Sequence, residues 1–251
     1  DLVCRKLSLR PGERLLDVGC GWGAFLIWAA RHYGVRGYGI TLSQNQLAEA
    51  RRRVAGAGLE GRIEIELRHY SELGADEFDK VSSIGMYEHV GIAKLPAYFR
   101  ALWRALRPGG LFLNHGITQP PLNDGMNASG GAFIFRRVFP GAELADVVEL
   151  QRQMEQLGFE LLDVQALRPH YALTLREWFQ RLVARRAHAR ALVSERTLRV
   201  LEMYLAGCAR AFEDGLIGIH QVLVAKPDAG GRTQAALTRA ETFLEDERGA
   251  S

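Results

Sequence analysis

The chain has 251 residues, 47% hydrophobic and 24% charged, which excludes wholesale disorder and allows one large domain or two small ones. No apolar run reaches the ~18 residues of a membrane span, and a net charge of +3 is too weak to argue for nucleic acid. Three scattered cysteines, Cys4, Cys20 and Cys208, show no Cys-x-x-Cys or Cys/His spacing, so neither a disulfide framework nor a metal site is expected and the cytoplasm fits best.

In chain order, Arg14–Val18 reads as a short apolar strand followed by a glycine cluster. Residues 24–32 carry apolar side chains at helical spacing, and 35–41 form a second strand. Ser43 is placed to cap a helix running to about Ala55, because its hydroxyl can accept a free amide of the first turn. Residues 62–67 and 80–84 are further strands. A helix over 93–106 is expected to stop at Pro108-Gly109-Gly110, and 111–115 is another strand. This alternation implies a mostly parallel sheet covered on both faces.

The second half differs. Residues 118–142 are rich in Gly, Pro and Asn and read as a long loop, of the kind that is usually functional or disordered. A helix over 144–157, a strand over 161–166, two helical stretches over 173–192 and 195–213, and a strand over 217–225 follow. From Asp228 onward the chain reads as a loosely held tail, which makes 1–226 the folded domain and 227–251 the tail.

Asp17-Val18-Gly19-Cys20-Gly21-Trp22-Gly23 directly follows the first strand and opens the first helix. Glycines there let the backbone turn sharply and approach a ligand closely. The spacing matches neither the dinucleotide fingerprint nor the P-loop. Asp17 stands where it can hold the loop or reach a cationic ligand group.

Asp-x-Gly-x-Gly-x-Gly after strand one resembles motif I of class I S-adenosylmethionine methyltransferases. The resemblance continues through Gly39-Ile40-Thr41-Leu42-Ser43-Gln44-Asn45-Gln46, Ser83-Ile84-Gly85-Met86-Tyr87-Glu88-His89-Val90-Gly91, Phe112-Leu113-Asn114-His115-Gly116-Ile117, Pro169-His170-Tyr171-Ala172 and Met203-Tyr204-Leu205-Ala206-Gly207-Cys208-Ala209. This series resembles the cyclopropane-fatty-acyl-phospholipid synthases, including the mycolic acid cyclopropane synthases, over about residues 8–226. It implies an α/β, Rossmann-like fold: a mostly parallel seven-stranded sheet with helices on both faces. The 118–142 loop and the 172–214 helices would cover the lipid side.

For the cofactor, S-adenosylmethionine, the resemblance implies Gly19 and Gly21 beside the methionine part, with Asp17 and Ile84 in the same set. Thr41, Leu42 and Gln46 fall on the ribose segment, and Tyr70 and Ser71 on the adenine side. His69 stands before Tyr70 where an acidic residue is usual, which puts the adenine-amine acceptor in doubt.

Methylating an alkene makes a carbocation, and closing a cyclopropane then requires loss of a proton from the new methyl. In the resembled family a bicarbonate ion takes that proton, and Glu88, His115 and Tyr171 match the residues that hold it. His89 and His170, beside two of them, read equally well as surface or packing residues. Cys208 matches a cysteine often named as an active-site residue, although its context reads as a buried helix and the chemistry has no obvious need of a thiolate.

Relatives carry a segment before the glycine motif that supplies a further cysteine, which Cys4 lies too close to strand one to match. The chain opens on Asp1 rather than Met and without a leader pattern, as a fragment would, or as a protein with a more open pocket.

Residues 176–199 carry seven arginines against two glutamates, a net +5, interleaved with Trp178, Phe179, Leu182 and Val183. Such a basic amphipathic stretch can lie on an anionic lipid surface or be a solvated helix face. The expected partner is an unsaturated phospholipid acyl chain at the inner face of the membrane, with peripheral contact and no nucleic acid; a homodimer is left open. The expected activity is cyclopropanation of that acyl chain. The alternatives are a methyl branch or methylene product, a small-molecule N- or O-methyltransferase, and a non-enzymatic lipid-binding module.

Overall fold

The computed structural model describes residues 1–75, 77–120, 131–236, 238 and 239. Seven strands form one sheet: β1 (Arg14–Val18), β2 (Arg36–Thr41), β3 (Ile63–Leu67), β4 (Phe78–Ile84), β5 (Leu106–Thr118), β6 (Glu160–Ala166) and β7 (Gly218–Ala225). Their order is β3-β2-β1-β4-β5-β7-β6. All neighbouring pairs are parallel except those of β7, which runs antiparallel to both β5 and β6. Strand order reverses between β1 and β4, and ligands of open α/β sheets bind in the crevice beyond the carboxyl ends of such a pair.

Period-two alternation sends successive side chains to opposite faces. Leu16, Val18, Val81, Phe112, Val222 and Val224 share one core with Tyr98, Phe99 and Leu102 of α4 (Leu95–Ala105) and with Leu150 and Met154 of α6 (Val147–Glu155). Leu15, Leu111, Leu113, Leu223 and Ala225 face the other core. There they meet α1 (Leu2–Lys6), α2 (Ala24–Tyr33) and α3 (Gln44–Gly56). A third core joins α5 (Gly131–Arg137), α7 (Arg168–Ala184) and α9 (Glu195–Glu213) to Ile217 and Ile219 at the end of the sheet.

Ser43 caps α3 as expected, its hydroxyl accepting the Gln46 amide at 3.3 Å. Elsewhere the boundaries move. α4 stops at Ala105, and β5 already begins at Leu106, running through Pro108-Gly109-Gly110. α1 was not legible as an element. The 118–142 stretch contains α5; its residues 121–130 lie outside those described. The helix expected over 173–192 starts earlier, at Arg168 with Pro169 in its first turn, and breaks at Arg185 into α7 and α8 (Arg186–Leu192). In the C-terminal segment, Arg239 pairs with Asp163 of β6, and the Gln234 amide donates to the Gly109 carbonyl at 3.1 Å.

Candidate active site

The loop after β1 folds back over the end of β2, with the Gly19 and Cys20 amides both donating to the Ile40 carbonyl at 3.0 Å. Gly19 (φ +76) and Gly21 (φ +54) are left-handed, a conformation open to glycine at little cost. A Cβ on Gly19 would stand 2.7 Å from Met86 Cγ, whereas one on Gly21 would meet nothing within 4 Å. Gly19 is thus required by packing, and Gly21 holds backbone against open space.

Asp17 is buried at the β1 terminus and accepts the Ser82 hydroxyl at 2.7 Å from its register partner on β4. Burial pushes its carboxyl up to about 7. At the end of β2, Thr41 Oγ1 donates to Gln46 Oε1 at 2.7 Å and accepts the Ser43 amide at 3.2 Å, which leaves the Gln46 NH2 as the outward donor. Tyr70 packs edge-on against Tyr98, centroids 5.0 Å apart, while His69 lies over it at 4.0 Å and bonds the exposed Ser71 hydroxyl. Gly19, Thr41, Leu42 and Tyr70 line one cavity of about 160 Å³ with Met86 and His89. Asp17, Gly21, Gln46, Ser71 and Ile84, expected in the same set, do not line that cavity.

The second half of the site is built by the turn after β4 and the ends of β5 and β7. Glu88 sits in the 3-10 turn Tyr87–His89 and accepts the Ile117 amide at 2.8 Å on Oε1, while Oε2 is buried without a hydrogen-bond partner. Burial, opposed by the Ile117 amide, raises its carboxyl to about 7. His115 of β5 lies 3.0 Å from the Tyr171 hydroxyl through Nε2 and 3.0 Å from Gln221 Nε2 through Nδ1. Burial, helped slightly by the Lys6 charge, lowers its imidazole to about 4, so the ring is neutral at physiological pH. Tyr171 is raised by burial and then by the Glu88 charge, which couples the two electrostatically.

Glu88 lines an apolar cavity of about 150 Å³ together with Ile134, Phe135, Phe139, Tyr204 and Cys208. His89 borders both cavities, so they adjoin there. Cys208 is in the wall as a neutral thiol, pushed by burial to about 12. His170 is exposed, its carbonyl accepting the Thr174 hydroxyl within the helix. Among the described residues, no cluster of His, Cys, Asp and Glu suits a metal ion.

Two residues of this half escaped sequence reasoning. Gln221 is buried in β7, cross-strand to His115. Gly116 lets the Tyr87 ring and the Glu88 carboxylate lie against β5: a Cβ there would come within 2.3 Å of Tyr87 and 3.1 Å of Glu88 Oε1. Both had a signal, an amide in an apolar strand and a glycine in a strand interior.

The basic stretch is largely self-neutralised. Arg176 pairs with Glu213, Arg181 with Glu177, Arg186 with Glu195 and Glu202, and both Arg190 and Arg199 with Glu195. Around these pairs Leu173, Trp178, Val183, Leu192, Val193 and Met203 remain exposed. No helix among the described residues is long and apolar enough to cross a membrane.

Comparison with known proteins agrees with this fold. The chain is 46% identical over 246 residues to a probable fatty acid methyltransferase of Pseudomonas putida, covering 97% of this chain and 62% of that protein. It is 41% identical to a probable fatty acid methyltransferase of Mycobacterium tuberculosis, covering 92% of this chain and 53% of the relative, so it spans little more than half the length of these two. The structure of cyclopropane synthase MmaA2 from Mycobacterium tuberculosis superposes with a TM-score of 0.84 at 33% identity, covering 90% of this chain and 82% of that one. Mycolic acid cyclopropane synthase CmaA1, complexed with SAH and CTAB, superposes with a TM-score of 0.84 at 35% identity, covering 89% and 81%. The family described as mycolic acid cyclopropane synthetase matches residues 1–222, and the chain belongs to it.

Proposed function

We propose that the protein transfers a methyl group from S-adenosylmethionine to the double bond of an unsaturated acyl chain and closes it to a cyclopropane. One observation carries this reading: a cradle at the β1 glycine loop shares His89 with an apolar cavity whose lining includes a buried carboxylate with one oxygen unpartnered. The cradle suits the cofactor. Gly21 faces open space, Thr41 and Gln46 offer hydroxyl and amide groups for a ribose, and Tyr70 offers a flat apolar ring for adenine. When bound, that cofactor supplies an electrophilic methyl group; the protein's part is orientation and electrostatics.

The free Glu88 oxygen, the Tyr171 hydroxyl and the neutral His115 behind it suit a small anion that carries a proton of its own, such as bicarbonate. When bound, bicarbonate supplies the base for the proton lost on ring closure. Glu88 accepts the anion's proton, Tyr171 holds it by donation, and the aromatic wall of Phe135, Phe139 and Tyr204 keeps water from the cationic acyl chain. The exposed apolar side chains of α7–α9 would rest on the lipid surface from which the chain is drawn.

The names of the two probable fatty acid methyltransferases favour a second reading with the same site, in which the product is a methyl or methylene branch. Incubation with S-adenosylmethionine and monounsaturated phospholipid vesicles, followed by mass and NMR analysis of the acyl chains, separates the two. Gain of one CH2 with loss of the alkene signals is the expected result. Gain of CH2 with the alkene retained establishes the branch, and no gain removes the lipid reading.

A further inference from the structure

We propose that Gln221 is a positioning residue that fixes the tautomer of His115 and thereby turns the Tyr171 hydroxyl proton toward the reacting site. The inference rests on the reading of this site given above. His115 and Gln221 are cross-strand partners in the antiparallel β5–β7 pair, so both side chains leave the same face of the sheet. Gln221 is 3% exposed, and its Nε2 lies 3.0 Å from His115 Nδ1.

An amide nitrogen only donates, so Nδ1 must be the acceptor and the neutral ring carries its proton on Nε2. That proton points at the Tyr171 oxygen, 3.0 Å away. The tyrosine oxygen, having accepted from His115, keeps its own proton for a third group. Gln221, His115 and Tyr171 therefore form a one-way relay in which each member donates to the next.

The opposite relay requires the Gln221 amide to be reversed, with its oxygen accepting from Nδ1–H. In the observed orientation the leftover polar atom is Gln221 Oε1, buried without a partner. Reversal would leave a buried NH2 in its place. An under-used carbonyl is the commoner compromise in protein interiors, because an orphaned N–H forfeits its only bonds. Gln165 of β6 is the register partner of Gln221 on its other side and carries a buried Oε1 without a hydrogen-bond partner, so the choice between the two amide orientations is what the ring shifts of His115 read. The arrangement matters to an anion site because a tyrosine hydroxyl turned outward is a donor, whereas one turned inward presents only lone pairs.

The tautomer is read directly from the 15N shifts of the histidine ring in protein labelled at histidine, with His115 assigned by its loss in His115→Asn. The parent protein should show Nε2 protonated and Nδ1 free at pH 7.5. Gln221→Glu keeps the shape and, once ionised, only accepts, so with its carboxylate ionised it should move the proton to Nδ1. Turnover should fall about 10²-fold or more with cofactor affinity unchanged, as when a catalytic histidine is held in the wrong tautomer or loses its supporting bond. If Gln221→Glu does not fold, the parent spectrum alone decides: protonation at Nδ1 overturns the proposal. So does a Gln221→Glu protein whose tautomer changes while its turnover stays at the parent level. An Nε2-protonated His115 in a protein that methylates no acyl chain keeps the relay and sinks the function instead.

Discussion

The Ile117 amide donates to Glu88 Oε1 at 2.8 Å, tying the turn after β4 to the outer end of β5. This bond anchors one oxygen of a buried carboxylate that lines the apolar cavity and leaves the other, Oε2, without a hydrogen-bond partner. Burial outweighs the bond, and the group rises from an ordinary 4.5 to about 7.

The sign of the resulting pH dependence follows from which state holds the proton. Between pH 4.5 and 7 the unfolded chain has released it while the folded protein still keeps it. Stability is therefore greatest below the unfolded value and falls as pH rises toward 7, by about 3 kcal/mol from this group. Glu88→Gln keeps an acceptor for the Ile117 amide and abolishes this loss. Urea denaturation should find the variant equal to the parent near pH 4 and more stable at pH 8. Asp17, raised for the same reason, leaves a residual slope in both. Turnover of Glu88→Gln should fall by ~10²–10⁴-fold with cofactor affinity retained. A variant that loses the cofactor, or that turns over normally, excludes the role given to Glu88.

Gly21 separates backbone strain from ligand contact. Its φ of +54 is a conformation that asparagine tolerates better than other side chains, and no protein atom lies within 4 Å of the position of a new Cβ. Gly21→Asn should fold normally and lose at least about tenfold in cofactor affinity by calorimetry, because the new side chain occupies the ligand's space. Gly19→Ala should destabilise the protein itself by driving a methyl group into Met86. Parent-like cofactor affinity in Gly21→Asn would remove the loop from the site.

The elements legible in the sequence were those whose signal is local. β1 declared itself by an apolar run into glycines, and α3 by Ser43 before its first turn. The start of α7 at Arg168 was missed because Pro169, a residue favoured in a first turn, was not used as a start signal. The early start of β5 was missed for the converse reason: Pro108-Gly109 read as a stop to the helix, although Leu106 is already extended. Glu88, His115 and Tyr171 were named from a resemblance, yet nothing local joins His115 to Tyr171, 56 residues apart, or to Gln221, 106 residues apart. Those contacts exist only because β7 inserts antiparallel between β5 and β6.

Cys208 stands in the cavity wall, 6% exposed, with its thiol pushed to about 12. A thiol with that affinity for its proton is no nucleophile near neutrality. Cys208→Ala should keep turnover within about an order of magnitude of the parent and cost stability through a small cavity. Native protein at pH 8 should resist iodoacetamide at this residue, as read by peptide mass mapping. Rapid alkylation there, or a variant without turnover, would restore a direct chemical role.

Contact with a lipid surface should depend on apolar side chains more than on the arginines. Five arginines of the 176–199 stretch already have carboxylate partners, so their pull on an anionic membrane is weakened before salt screens it. Leu192 and Trp178, by contrast, are 70% and 50% exposed and have little reason to face water unless something covers them. Burying two such side chains in the interface contributes about 2 kcal/mol, or roughly thirtyfold in partitioning. Trp178→Ala with Leu192→Ser should therefore reduce sedimentation with phosphatidylglycerol vesicles by about that factor at any salt concentration. Arg181→Gln with Arg186→Gln should reduce it less, and only at low salt, because exposed charges act on the vesicle through screening solvent. Parent-like sedimentation of the apolar double variant would show that α7 and α8 do not meet the lipid. A larger effect of the arginine pair would return the contact to electrostatics.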